Sequence, residues 1–239
     1  MNAEPISLQI GAGKKAMAGW VNQDMFPAPG IDLTFDLMGA WPLKDNSVKE
    51  VYCSHVLEHL PDPRHFFREL WRVCRPNASV IIRVPYGSCD LAMSDVTHLR
   101  PWFATSFCFL QPGYAEELGN AQHDEMMPYP FGIEIIQLRL AAFFARRLRR
   151  WYWRVLLYEW LPYFWNAVEE MHAYLYALKS PDAVAEYCTR HPNVHVMYAN
   201  HVAWKHQVYG EDPLSLEGDG GVLINIADGS LARSATYRL

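Results

Sequence analysis

The chain has 239 residues, 51% apolar and 20% charged, a globular composition that excludes an intrinsically disordered protein. Its net charge of −5, from 21 Lys plus Arg against 26 Asp plus Glu, weighs against a broadly basic nucleic-acid binder. Five cysteines, Cys53, Cys74, Cys89, Cys108 and Cys188, are odd in number and lack C-x-x-C spacing, which argues against a disulfide framework and for a cytoplasmic compartment.

The start Met1-Asn2-Ala3-Glu4-Pro5 lacks the basic and then apolar pattern of a signal peptide, so none is expected. Leu8 to Ile10 reads as a strand that stops at Gly11-Ala12-Gly13. Trp20 to Asp24 and Ile31 to Leu37 read as the next two strands, the first ending on Asp24 and the second carrying Asp36 near its end. Val51 to Cys53 is a fourth strand, and Ser54 is placed to cap a following helix. Pro63 to Cys74 has helical spacing, with Phe66, Phe67, Leu70 and Val73 on one stripe. Pro76-Asn77 turns the chain into a fifth strand, Val80 to Val84. Phe131 to Leu140 and Met171 to Lys179 give a sixth and a seventh. Residues 181–239 read as a separate tail, with a helix over Pro181 to Arg190 and β-like segments at Val194–Tyr198 and Val222–Ile226.

Strands alternating with helices predict an α/β fold with a mostly parallel sheet. Such sheets bind ligands at the carboxyl ends of their strands. Gly11, Gly13, Asp24, Asp36, Ser54 and His55 all fall at such ends. Glycines after the first strand let backbone approach a ligand closely, because neither carries a Cβ. A carboxylate at the end of the next strand can accept two hydrogen bonds from a ribose diol. The competing reading is that Asp24 and Asp36 are solvated loop acids.

Leu8-Gln9-Ile10-Gly11-Ala12-Gly13, Gly19 to Asp24, Asp36-Leu37, Trp41 to Val48, Ser54 to Leu60 and Glu69 to Pro76 together resemble class I S-adenosylmethionine-dependent methyltransferases. The similarity is greatest to the branch associated with glycan and natural-product biosynthesis. The resemblance covers about residues 6–180. It implies a Rossmann-like seven-stranded, mostly parallel sheet with helices on both faces. A methyltransferase domain would span residues 1–180, and residues 181–239 would be an extension serving as a cover or a subunit interface. It also implies S-adenosylmethionine as cofactor. Gly11, Ala12 and Gly13 would run along its methionine part, Asp24 would hold the ribose, Asp36 and Leu37 would border the adenine, and Ser54 and His55 would face the methionine moiety and the substrate cleft. The sequence departs from the family in having Gln9 where an acid or Asn is usual, and Pro76-Asn77-Ala78 for Pro-Gly-Gly. Only about ten residues separate Gly13 from Asp24, so the first helix is expected to be short or missing.

His55, Glu58 and His59 are spaced i, i+3, i+4, which on a helix places them on one face. The string matches an H-x-x-E-H zinc-protease pattern, but the strand and glycine-turn context argues against a protease. Some O-methyltransferases that this chain resembles hold a divalent ion through a Glu-His pair here, making Glu58 and His59 metal candidates. The alternative is that they orient loops by hydrogen bonding. Ser94 to Trp102 resembles a segment placed over the active site in the same branch. There His98 is the first candidate general base, Asp95 its orienting acid and His55 the second base. The bland alternative is that His98 packs against Trp102.

Arg139 to Arg154 holds six Arg and no acid, with Trp151, Tyr152, Trp153, Trp160, Tyr163, Phe164 and Trp165 in or just after it. This stretch reads as helical. A packed lid with solvated Arg, a peripheral membrane contact through 139–165, and a nucleic-acid groove are its three readings. The functional expectation is a methyltransferase acting on a small molecule or glycan, at oxygen, with a homo-oligomer as a further expectation. The alternatives are a scaffold that keeps the fold without activity and a nucleic-acid methyltransferase.

Overall fold

The computed structural model describes residues 4–117, 122–141 and 164–190 together with the strand segments 195–199, 222–225 and 231–233. Ten strands form one sheet: β1 (Ile6–Ile10), β2 (Val21–Asp24), β3 (Leu33–Thr34), β4 (Val48–Ser54), β5 (Cys74–Pro85), β6 (Phe131–Leu140), β7 (Val168–Ala177), β8 (His195–Ala199), β9 (Val222–Asn225) and β10 (Leu231–Arg233). Helices are α1 (Pro63–Val73), α2 (Asp90–Ser94), α3 (Ala104–Cys108), α4 (Tyr114–Glu117), α5 (Gln122–Met126) and α6 (Pro181–Arg190). The spatial order is β10-β9-β8-β6-β7-β5-β4-β1-β2-β3. The first five strands are mutually parallel, and β7 runs antiparallel between β5 and β6. The first seven strands are therefore the expected Rossmann-like, mostly parallel sheet. The tail continues that sheet, because β8 pairs in parallel with β6 and carries the antiparallel β9 and β10.

The sheet has two chemically different faces. Strand register puts Leu8 beside Val51, Val51 beside Val80 and Val80 beside Leu175, all fully or nearly fully buried. Helix α1 covers this apolar face. Asp62 caps it by accepting from the Arg64 amide, and Pro63 occupies its first turn. The predicted stripe Phe66, Phe67, Leu70 and Val73 is buried, each side chain contributing roughly 1.5–3 kcal/mol. One residue out of phase, the other face carries Gln9, Tyr52, Arg83, His172, Tyr174 and Gln137. Helix α6 lies on this side, where the Tyr187 ring meets Tyr176 edge-on.

Several local expectations are corrected. The third strand shrinks to two residues, because Asp32 turns its carboxylate onto the Asn22 amide at the sheet edge. The helix expected directly after Ser54 is a single 3₁₀ turn over Leu57–His59, with no side-chain cap. His55 is the reason: its φ of 55° is left-handed and its amide is tied to the Arg83 carbonyl, so a regular helix cannot start there. His55, Glu58 and His59 consequently do not share a helix face. Asn77 takes φ 58° as expected of the Pro-Asn-Ala turn, but β5 runs through it as an irregular ladder. Most of 139–165 lies outside the described residues. Arg139 belongs to the buried part of β6, where it pairs with Glu169 and Glu170.

No helix forms between Gly13 and Asp24. Three side-chain amides hold the connection instead. Gln9 accepts from the Met17 amide and donates to the Lys15 carbonyl. Asn22 accepts from the same Met17 amide and donates to the carbonyls of Met17 and Trp20. Gln23 accepts from Gly11 and donates to the Phe35 carbonyl. Asn22→Ala strands several of these groups and is expected to cost about 2 kcal/mol, seen as a lower thermal midpoint. Gln9 accepts from the same Met17 amide, so either Asn22→Ala or Gln9→Ala leaves that amide one partner, and the double variant, which leaves it none, should lose more than the sum of the two.

Candidate functional site

The carboxyl ends of β1, β2 and β4 meet at one edge of the sheet. Gly11 and Gly13 both have positive φ, 66° and 53°. A Cβ on Gly11 would strike the Val56 side chain at 2.3 Å, whereas one on Gly13 would meet nothing within 4 Å. The glycine turn therefore leans on Val56 on one side and opens onto free space on the other. Asp24 links the two strand ends: Oδ2 accepts from the Gly13 amide at 2.8 Å and Oδ1 from the Phe26 amide at 3.1 Å. Each oxygen keeps a further lone pair for a hydroxyl. The three amides of the turn are already bonded, Gly11 to Gln23 Oε1, Ala12 to the Gln23 carbonyl and Gly13 to Asp24, so a ligand there meets CH surface rather than donors. Ala12 is buried. Asp36 is exposed and accepts from the Met38 amide, while the Leu37 side chain is turned into the core with Trp41, whose indole donates to the Leu37 carbonyl. Met25 and Phe26 follow Asp24 and stand 56% and 69% exposed. The sequence reading passed over them, although two apolar residues after a strand-end acid are a readable signal.

Ser54 ends β4, and its neighbour His55 enters a network on the polar face. His55 Nε2 lies 2.8 Å from Glu170 Oε1, and Nδ1 lies 3.3 Å from Glu58 Oε1. Arg83 donates to Glu170 at 2.6 Å, to Tyr52 Oη at 2.7 Å and to His172 Nε2. Arg139 adds contacts to Glu169 and Glu170. Burial alone would push the His55 pKa down, but the hydrogen bonds and charges of Glu170 and Glu58 outweigh it and raise it to about 9. For Glu170 burial acts upward, and the bonds from His172 and His55 with the Arg83 charge hold it far below the usual carboxylate range. Burial lowers the His172 pKa, so that ring is neutral. Arg83, Arg139 and protonated His55 thus oppose Glu58, Glu169 and Glu170. With both ring nitrogens engaged and a proton already bound, His55 has no lone pair to act as a base at neutral pH. Sequence reasoning missed Arg83 and Glu170. The signal was a cation inside the apolar run Val80 to Val84 and an acid inside the strand that precedes Met171.

His98 and His59 form a second group. His98 Nδ1 donates to the Ala92 carbonyl at 3.1 Å, which leaves Nε2 with the lone pair, 3.7 Å from Asp95 Oδ2. Asp95 spends its other oxygen on the amide and hydroxyl of Thr97, and those bonds hold its pKa down. His59 Nδ1 faces the Thr97 carbonyl at 3.2 Å and its hydroxyl at 3.0 Å. The two imidazoles meet edge-on at 4.8 Å, so His98 packs against His59. The Glu58 backbone carbonyl accepts from Leu99, while its buried carboxylate meets His55 through Oε1 and leaves Oε2 without a hydrogen-bond partner. One ligand atom each of Glu58, His59 and His98 lie within 4.8 Å of one another.

Residues 15–82 match the family described as methyltransferase domain. The matched stretch contains Asp24, Asp36, Ser54, His55, Glu58 and His59; it begins after the glycine turn and ends before His98. No curated protein matches the chain. Among solved structures, an S-adenosylmethionine-dependent methyltransferase of Archaeoglobus fulgidus shares 17% identity at a TM-score of 0.47, over 73% of this chain and 87% of its own. One of Methanosarcina mazei shares 13% at 0.43, over 74% and 95%, and one of Mesorhizobium loti 11% at 0.42, over 74% and 93%. Similarities of this size carry no assignment of activity.

The His55 pKa, raised above its free value of 6.5, has a direct consequence for stability. The contribution of the protonated ring is complete below about pH 6.5 and is lost as pH rises through about 9. Urea unfolding across that window should show a decline in the natural chain that is absent in His55→Phe.

Proposed function

We propose that the chain is an S-adenosylmethionine-dependent methyltransferase that modifies an oxygen of a small molecule or glycan. The observation that carries the reading is the pairing of the Gly13 turn, open on its Cβ side, with the Asp24 carboxylate at the next strand end, next to a stretch that matches a methyltransferase domain. The residues fit the cofactor. Asp24 retains lone pairs for two ribose hydroxyls, Met25 and Phe26 offer apolar surface beside it, Asp36 and the Leu37 backbone border the adenine side, and Ser54 lies toward the methionine end. When bound, the cofactor supplies a methyl group already activated on sulfur. The chain's own work is to align the acceptor and take its proton. His98 Nε2 is the nitrogen suited to that task, since Nδ1 is committed to a carbonyl. Asp95 orients it. His55 orders the cleft as a fixed cation.

A second reading of the same group is favoured by one observation: the buried Glu58 carboxylate, whose Oε2 has no hydrogen-bond partner, lies beside two imidazoles whose Nδ1 atoms face carbonyls. That leaves both Nε2 atoms as donors to a metal, a usual way to orient ligating histidines. Glu58, His59 and His98 would hold a divalent ion once their ligand atoms, which lie within 4.8 Å of one another, close toward the roughly 3.4 Å that tetrahedral bonds of about 2.0–2.2 Å require. Such an ion lowers the pKa of a bound hydroxyl.

Calorimetry with S-adenosylmethionine tests the first reading. The natural chain should bind, and Asp24→Ala should bind at least about tenfold more weakly; no heat from the natural chain favours the scaffold alternative. His98→Asn should keep cofactor affinity and lose about a hundredfold or more in turnover. Chelation separates the two roles of His98. If it is the base, activity survives EDTA; if it is a ligand, EDTA abolishes activity and Mn²⁺ raises the thermal midpoint of the natural chain but not of His98→Asn.

A further inference from the structure

A groove of about 340 Å³ runs between the start of α1, helix α3 and the end of α5, within the size range of small-molecule sites. Phe67 and Leu110, both buried, form its floor, and Phe109, Met126 and Met127 continue that apolar surface outward. Thioethers beside aromatic rings adapt to bodies of varied shape. The charge in the wall has one sign. Arg64 and Arg100 line the groove, both exposed, and among the described residues no carboxylate does. Arg100 Nη2 donates to the Pro61 carbonyl at 3.0 Å, and Arg64 Nε reaches Asp62 Oδ1 at 3.5 Å, the limit of a hydrogen bond. Among the described residues neither guanidinium makes another, so each keeps most of its five donors. Trp102 also lines the groove. It is 6% exposed, and its buried indole N–H has no hydrogen-bond partner. Native structures leave few such donors unpaired, and each calls for an explanation. A bound acceptor is the explanation that the cations in the same wall favour.

We propose that this groove binds an apolar molecule that ends in an oxyanion, a carboxylate or a phosphate monoester. Charge selects the class. Two guanidiniums with unused donors attract an oxyanion, and the lack of a lining acid disfavours an amine. The apolar side chains give the rest of the molecule a surface it would otherwise present to water. A fully polar anion would leave that surface unused, and a neutral apolar molecule would leave the cations unpaired. The site goes beyond the methyl-transfer reading and calls on none of the residues assigned there. It is nevertheless tied to the histidine group. The Leu99 amide donates to the Glu58 carbonyl and Arg100 to the Pro61 carbonyl, so the segment that carries His98 and the turn that carries His59 are clamped together where the oxyanion docks. An occupant held by both Arg64 and Arg100 adds a further bridge between those segments.

Calorimetry of the full chain, without cofactor, tests this with octanoate and octyl phosphate as probes, and with 1-octanol and octyltrimethylammonium as their neutral and cationic counterparts. At least one anion should bind about tenfold or more tightly than either counterpart, and the tighter of the two identifies the head group. R64Q/R100Q should lower that affinity about tenfold or more, to the level of 1-octanol, with an unchanged thermal midpoint. Should that variant unfold early, R64Q, at an exposed position, must weaken binding instead. The Trp102 indole N–H resonance, identified by its loss in W102F, should shift when the anion binds, which locates the ligand in this groove. None of these readouts depends on methyl transfer. Anions that bind no better than 1-octanol overturn the proposal, as do undiminished binding by the arginine variants and a Trp102 resonance that stays in place.

Discussion

Ten residues separate Gly13 from Asp24, and this shortage of chain shapes the edge of the sheet where β1 and β2 end. Parallel strands need a crossover of a dozen residues or more when a helix is included. With no room for one, the chain makes a close-packed turn whose polar backbone must find partners other than a helical ladder. Gln9, Asn22 and Gln23 provide them from within the strands. The same shortage brings the Gly13 amide onto the Asp24 carboxylate, so the two residues that matter most at this end are oriented by each other. It also removes the helix N-terminus that would favour an anionic group.

Polar residues on one face of the sheet have a matching role. Where the apolar face is sealed by α1, the opposite face holds ions of both signs in near contact, three positive and three negative. Buried pairs of this kind add little net stability, but removing one member leaves an uncompensated charge, at about 3–5 kcal/mol. Glu170 is the hub, joined to Arg83, Arg139, His55 and His172. The network sets the two histidines apart. His55 is enclosed by carboxylates and already charged, whereas His98 keeps a lone pair.

Much of the frame was legible in the sequence, and the failures have physical causes. Strand β6 runs from Phe131 to Leu140, the bounds the sequence suggests, and α1 buries the four side chains of its stripe. The missing first helix followed from counting residues. Strand β3 was overestimated because an edge strand paired on one side ends when a side chain such as Asp32 competes for its partner. The helix after Ser54 was misread because left-handed backbone at a histidine leaves no compositional trace. Glu170 stands 115 positions from His55, and no local pattern announces such a meeting. His98 and His59 were separately visible, but their contact depends on how the Ala92 and Thr97 carbonyls turn each ring.

The last three strands alter what the sheet exposes. Without β8, strand β6 would be the terminal one: ten residues long and buried along most of its length. A strand of that kind, with its amides and carbonyls bare, templates pairing between chains and leads to aggregation. Residues beyond Arg190 hand this role to β10, three residues long and ending on Arg233, a short and charged border of the kind proteins use to keep their sheets from joining end to end.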